Sequence, residues 1–362
     1  MNNSHQSTIR LTTSLAAAAF LLSGLPQTVN AQAIDTLMSL RASDGPTRLS
    51  LFKDGGFFMN GNLDYGAGMS VPVEGSGTRL MWYPGKAAFR AGHIEGTQWD
   101  DANIGNASVA AGFNTRASGD YGTAFGYNSV AANTGSIAMG HYCIATGFAS
   151  VALGYNAHTN TRQGSFVFAD RSVPDDGDIM TDEAFRAGVN HSANWRVSGG
   201  FRIFTSSNLS TGFTFQSGSV TSNWGQNGAA ISTSTGAMLT TSGIWQNASD
   251  SNRKHNIERI SGEQVLARLR RLPITEWSYR NDGTVRHLGP MAQDFRAVFG
   301  LGGDEKSIGT VDADGVALAG VQALDARTTA QAADLKSLKA ENETLRKRLE
   351  AVEARTGTTA SA

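Results

Sequence analysis

The stretch SVAAGFNTRASGDYGTAFGYNSVAANTGSIAMGHYCIATGFASVALGYN, residues 108–156, decides the fold. Gly112, Gly126, Gly140 and Gly154 recur every 14 residues, and Ala110, Ala124, Ala138 and Ala152 keep the same spacing. Val109, Thr123, Ile137 and Val151 form a third column, and Asn114, Asn128 and Asn156 follow their glycines by two residues, with Tyr142 breaking that row. A short fixed period is the signature of a coiled β-solenoid, in which each turn of chain stacks on the previous one. Inward-pointing alanine permits close strand approach, and glycine is expected to supply the tight corner. A single such turn buries little, so the column Phe125, Met139 and Leu153 needs a partner surface.

Composition agrees with a mainly β chain. Forty-two glycines stand against seven prolines, and only 17% of the 362 residues are charged, a balance that favours short strands and many turns. Residues 101–168 contain only Asp101, Asp120, Arg116 and Arg162 as charged groups, whereas the last 114 residues hold 17 of the 30 Lys and Arg and 16 of the 31 acidic residues. Two physical designs therefore share one chain. The net charge of −1 comes without a basic block, so the footprint of a nucleic-acid binder is absent. Cys143 is the sole cysteine, which excludes an internal disulfide and a cysteine-built zinc site. No cofactor and no metal site is expected.

Residues 1–31 read as an export signal: a weakly basic start to Arg10, the apolar run LTTSLAAAAFLLSGL at 11–25, and small residues around Val29-Asn30-Ala31. An uncleaved anchor is the alternative, but the run is short and alanine-rich for a span. The mature chain is expected outside the cytoplasm, extracellular or at the cell surface, with the periplasm open, and without a membrane span.

The repeats at 101–165 resemble the head repeat of trimeric autotransporter adhesins, a family whose heads are left-handed parallel β-rolls packed three chains together. That resemblance implies a homotrimer. Those adhesins end in a membrane β-barrel, and this chain instead ends in a charged helix. Residues 32–100 alternate short apolar pieces (LSLF at 49–52, RLMWY at 79–83) with turn signals such as Asp54-Gly55-Gly56 and Pro84-Gly85, and read as a β-rich cap. Trp82, Tyr83 and Trp99 fit either a sugar-stacking platform or, more simply, core packing. Residues 166–248, including WRVSGGFRIFT at 195–205, read as a β stalk.

Chemistry concentrates after Ala248, in SDSNRKHNI at 249–257. A short helix is expected over Ser261–Arg271, capped by Ser261 with Gln264 three residues on. A strand is expected at 274–279, a turn at Asn281-Asp282-Gly283, a helix from near Pro290, and another turn at Asp312-Ala313-Asp314-Gly315. Asp312 and Asp314 make half of a calcium loop at most, and a turn is the simpler reading.

In order, Ser249-Asp250, Lys254, Asn256-Ile257, Trp277, Tyr279, His287-Leu288-Gly289-Pro290-Met291-Ala292-Gln293-Asp294-Phe295 and Asp312 with Gly315-Val316-Ala317-Leu318 resemble the S74 peptidase family. These are the intramolecular chaperones that end phage tailspikes and some membrane-bound transcription factors. The resemblance covers 249–325 and departs at Asn252, where tailspike members usually carry Arg. It implies self-cleavage between Ala248 and Ser249, with Ser249 as nucleophile, Lys254 as general base, and supporting roles for His287 or Asp250.

A serine hydroxyl needs a base to become a useful nucleophile, and a lysine amine serves only once burial brings it down from about 10.4. Ser–Lys pairs are a known variant of the serine mechanism. A five-residue separation suits neither a straight strand nor a helix, so Asp250–Arg253 must turn. Beyond this segment, Val321, Thr328, Leu335, Asn342 and Leu349 recur by sevens beside Leu324, Gln331, Leu338, Leu345 and Val352, a coiled-coil seam over 321–354.

The whole reads as an exported homotrimeric fibre or adhesin-like protein, with a parallel β-roll, a β stalk, and an α-rich self-cleaving chaperone ending in a coiled coil. A host-surface glycan or protein is the expected external ligand. The nearest alternative keeps the fibre and makes its end a non-cleaving chaperone. A glycan hydrolase is disfavoured, because the uncharged roll carries no paired carboxylates.

Overall fold

The computed structural model describes residues 36–43, 45–175, 183–218 and 224–357; the expected export signal at 1–31 lies outside them. The chain divides into two compact units, Met1–Ile203 with Thr214–Asn227, and Phe204–Phe213 with Gly228–Ala362. Among the described residues it is mainly β, with three α-helices.

In the first unit every 14-residue repeat contributes one strand to each of two sheets. The longer strands Val109–Phe113, Thr123–Tyr127, Ile137–His141 and Val151–Tyr155 pair in parallel, alanine on alanine and glycine on glycine. The two-residue strands Arg116–Ala117, Val130–Ala131 and Ile144–Ala145 pair likewise in a second sheet. The larger sheet has eight strands and runs past the repeats on both sides. Ala88–Ile94 joins in parallel before them, fed by an antiparallel hairpin from Gly77–Tyr83, and Phe166–Ala169 and Ala193–Arg196 follow after them.

The interior explains the periodic alphabet. Ala110, Ala117, Ala124, Ala131, Ala138, Ala145 and Ala152 are all fully buried in one cluster with Cys143 and Val167. A methyl group fills this position on the four repeat rungs, and only the flanking rungs carry larger groups there, Val167 and Arg90. Buried hydroxyls close the corners: Ser108, Ser136, Ser150 and Ser165 each donate to the carbonyl three residues back, over 2.5–2.7 Å. Arg90 occupies the alanine position of the first rung and is fully buried. It donates to Phe89 O, Ser108 O, Ser108 Oγ and Ala117 O, and burial pushes its guanidinium down to about 10.

The column glycines do not make the corner, contrary to the expectation from sequence. Gly112, Gly126, Gly140 and Gly154 lie inside strands at φ between +98° and +131°. A Cβ on any of them would sit 2.0–2.2 Å from the carbonyl oxygen of the next rung. The corner belongs to Asn114, Asn128, Tyr142 and Asn156, at φ +49° to +55°. Asparagine tolerates this left-handed region, and Tyr142 adopts it with its neighbours although it broke the column by residue type. Between glycine and corner, His93, Phe113, Tyr127, His141 and Tyr155 stack ring on ring at 4.6–5.2 Å.

Tyr83 and Trp99 are buried with Met81, Ile94 and Ile104, which removes them as a sugar platform and leaves the packing role. Trp99 Nε1 donates to Thr115 O at 2.8 Å. Tyr83 is pushed up to about 12 by burial and by its hydrogen bond to Asp101.

The second unit carries an antiparallel set, Ala229–Thr233, Met238–Thr240 and Trp245–Gln246, followed by helices α1 (Gly262–Leu269), α2 (Ala292–Phe299) and α3 (Thr310–Gly357). Val265, Leu272, Phe295, Phe299 and Val316 form their shared core. A Cβ on Gly262 would meet Ala323 Cβ at 2.7 Å, and one on Gly320 would meet Leu269 Cδ1 at 2.8 Å, so glycine lets α1 and α3 approach closely.

Three local expectations are corrected here. Ser261 stands at the N-cap of α1 but makes no side-chain cap bond. The hairpin turns at Arg280-Asn281, and Asp282 and Gly283 already belong to the strand Asp282–Gly289 that pairs with Thr275–Tyr279. Asp312–Gly315 is the first part of α3, not a turn; its acidic side chains favour the helix N-terminus, and Val316 is drawn into the core. The half calcium loop disappears with that turn.

Candidate functional site

The site is built from the exposed segment that leaves Trp245–Gln246. Trp245 Nε1 donates to Asn247 Oδ1 at 3.2 Å, and Asn247 Nδ2 donates to Thr310 Oγ1 at 3.3 Å, so the approach to Ala248 is fastened to the start of α3. Asp250 then caps a single 3₁₀ turn, Ser251–Arg253. Its Oδ1 accepts from Asn252 N at 2.9 Å and from Asn252 Nδ2 at 3.0 Å. Lys254 N closes the turn on Ser251 O at 3.1 Å. The required reversal is thus made by an aspartate cap and a short turn, as the Asp/Ser/Asn content implied.

That reversal carries Lys254 back over Ser249. Lys254 Nζ donates to Ser249 Oγ at 2.7 Å. In this polarity the hydroxyl is the acceptor; attack needs the converse, a neutral amine accepting the Oγ proton. Every residue from 241 to 261 is exposed, so the pair faces water in the single chain. Ala248 lies beside the turn at Gly236, where an added Cβ would meet Arg253 Nη1 at 2.5 Å and Ala248 Cβ at 3.2 Å. Gly236 is at φ +88°. Sequence reasoning missed both this glycine and Asn247; the Thr235-Gly236 turn signal was visible, but its neighbour across the fold was not.

The other two candidate residues part company. Asp250 is in the turn and shapes it. His287 sits across the hairpin from Trp277 and stacks on it at 4.6 Å, and it makes no hydrogen bond to Ser249 or Lys254. Among the described residues no group of His, Cys, Asp and Glu could hold a metal ion, and no helix is long and apolar enough to cross a membrane.

Helix α3 spans 48 residues, about 72 Å at 1.5 Å per residue. Val321, Leu324, Leu335, Leu338, Leu345, Leu349 and Val352 are all exposed along it. Arg327, in its N-terminal half, bonds to Glu263 of α1 through two nitrogens.

Comparison with known proteins agrees with the two resemblances. No curated protein and no solved structure matches the chain. Residues 104–129, 117–142 and 145–165 match the model of the YadA head domain repeat, and residues 249–301, which begin at Ser249 itself, match the peptidase S74 model, described as the chaperone of endosialidase.

Proposed function

We propose that the chain is an exported, homotrimeric, fibre- or adhesin-like protein whose segment 249–325 is an intramolecular chaperone that cuts the chain between Ala248 and Ser249. The observation that carries this reading is the 2.7 Å approach of Lys254 Nζ to Ser249 Oγ at the first residue of the matched chaperone segment. Ser249 Oγ attacks the Ala248 carbonyl carbon while Lys254, neutral, takes the hydroxyl proton. The new C–O bond replaces the Ala248–Ser249 C–N bond, and the Ser249 nitrogen leaves with a proton as an amine. Water then hydrolyses the ester, giving one fragment that ends at Ala248 and one that begins at Ser249. Asp250 holds the turn, and His287 is structural.

Assembly supplies the switch in this reading. Desolvation disfavours the charged form of an ammonium, so covering the exposed segment turns the donor amine into an acceptor. Two surfaces favour several copies. One is the apolar seam of α3, where Asn342 would fix register. The other is a column on the outer face of the eight-stranded sheet, Leu80, Ala91, Ala111, Phe125, Met139, Leu153, Phe168 and Trp195, aligned rung by rung. At about 4.8 Å per strand this ribbon runs roughly 34 Å. Stacked head repeats of this kind form a parallel β-roll, and the roll delivers adhesion to a surface glycan or protein.

The full exposure of the pair in one chain favours a second reading, a fibre with a non-cleaving chaperone end. Denaturing gels and mass spectrometry of the purified protein separate the two. The wild type is expected to give a piece of up to 248 of the 362 residues and a new N-terminus at Ser249. Ser249→Ala and Lys254→Arg should both stay whole, the second because a guanidinium keeps its proton. An intact wild type defeats the self-cleaving reading.

A further inference from the structure

The cleft beside the first rungs of the smaller sheet matches none of the roles above. It has a volume of about 380 Å³ and is lined by Thr97, Gln98, Asn103, Asn114, Arg116 and Asn128, with Val130 as its one apolar member, a size within the range of small-ligand clefts. The loop around the short helix Asp101–Asn103 forms one wall, and the corner asparagines form the other. Asn103 Nδ2 donates to Thr97 O at 2.8 Å, and Asn114 is held by Glu95 on both sides of its amide, so the walls are rigidly set.

Arg116 is the odd member. It is half-buried, and among the described residues its guanidinium makes one hydrogen bond, a long one, from Nη1 to Asn103 Oδ1 at 3.5 Å. No carboxylate pairs with it among the described residues, in a segment where Asp101 is bound to Lys86 and Asp120 to Asn106. A half-buried guanidinium surrounded by amides is a fork waiting for a planar anion.

We propose that this cleft binds an acidic saccharide, with Arg116 clamping a sugar carboxylate and the side-chain amides of Gln98, Asn103 and Asn128 reading ring hydroxyls. The inference rests on the adhesive reading and names its ligand class. A single cation and no aromatic lining disfavour a nucleic acid, and the Glu95 carboxylate bonded to the lining Asn114 repels a dense polyanion. The lining offers little apolar surface for the side chains of a peptide.

Isothermal titration of the full Ser249→Ala chain tests this with three probes: a uronic-acid oligosaccharide, the same sugar with its carboxyls reduced to alcohols, and an acidic peptide. The uronic sugar should bind. Carboxyl reduction and Arg116→Gln should each weaken it on the order of ten- to a hundredfold, as loss of a charge-assisted pair does. Asn103→Ala, which leaves the cation in place, should weaken both sugars alike. Unchanged circular dichroism of the Arg116→Gln chain separates lost binding from lost fold. Undiminished binding after Arg116→Gln or carboxyl reduction overturns the proposal. So does no binding of the uronic sugar, or equal, Arg116-dependent binding of the peptide. Adhesion to cells that survives Arg116→Gln would overturn the cleft while leaving the adhesive reading standing.

Discussion

Replacing Gly126 by Ala adds one methyl group where the structure has no room for it. The new Cβ would sit 2.1 Å from Gly140 O and 3.0 Å from Gly140 C, both backbone atoms of the next rung, so no flexible side chain can move aside. Gly126 is also at φ +106°, where an L-residue is strained by about 1–3 kcal/mol. Overpacking a rigid interior costs a further 1–3 kcal/mol or so, and the sum, about 2–6 kcal/mol, is a large part of a domain's stability. Gly135→Ala is the internal control. It shares a positive φ of +65°, but its nearest neighbour would be Ala149 Cα at 3.7 Å, ordinary contact, so only the backbone penalty applies.

Urea unfolding by circular dichroism, at one protein concentration and on the uncleaved Ser249→Ala background, compares the two. Gly126→Ala should lose about 1–3 kcal/mol more than Gly135→Ala, with similar slopes against urea. Equal losses would refute the claim that rung-to-rung contact, and not turn geometry, fixes the column glycines.

Asp170 gives a pH prediction. Burial raises its carboxyl, but hydrogen bonds from Ser172 and Ser198 outweigh that and hold it well below the usual carboxylate range. A depressed acid contributes stability above its unfolded value of about 3.9, and that contribution fades as pH falls toward the folded value. Asp170→Asn should therefore be less stable than wild type at pH 7, with the gap narrowing below about pH 4 in thermal melts; a gap independent of pH contradicts the assignment. In the seam, Leu338→Asp places a charge at an exposed apolar position of α3 and should dissociate the assembly in sedimentation equilibrium. If assembly drives cleavage, the same change slows the appearance of the fragment; an unaltered sedimentation profile would remove α3 from the interface.

The repeat was legible because a stacked rung repeats its environment. Position i meets i+14, so the same small residue is selected at each turn, and the alanine column announced itself as interior. The role of the glycines was misread because sequence spacing reports that a position recurs, not which constraint it satisfies. Glycine at a corner and glycine under a neighbouring carbonyl look alike in one dimension, whereas Tyr142 shows that the true corner tolerates more than asparagine. The same ambiguity moved the turn near Asn281 and dissolved the one at Asp312: in isolation Asp-Ala-Asp-Gly is turn-like, but Val316 has a buried place among Phe295, Phe299 and Val265, and burial outweighs local preference.

The sequence by itself determined the order of segments, the 14-residue register, the candidacy of Ser249 and Lys254, and the seven-residue seam, because each is written as residue type at a fixed interval. Only the tertiary structure decided that these two side chains meet, that His287 stacks on Trp277, and that Arg116 stands in a polar cleft with no carboxylate partner among the described residues. Those facts depend on dihedral path and on neighbours far apart in the chain. A run of six residues can bring its ends together or hold them apart, and here the Asp250 cap, one hydrogen-bonded turn, sets which.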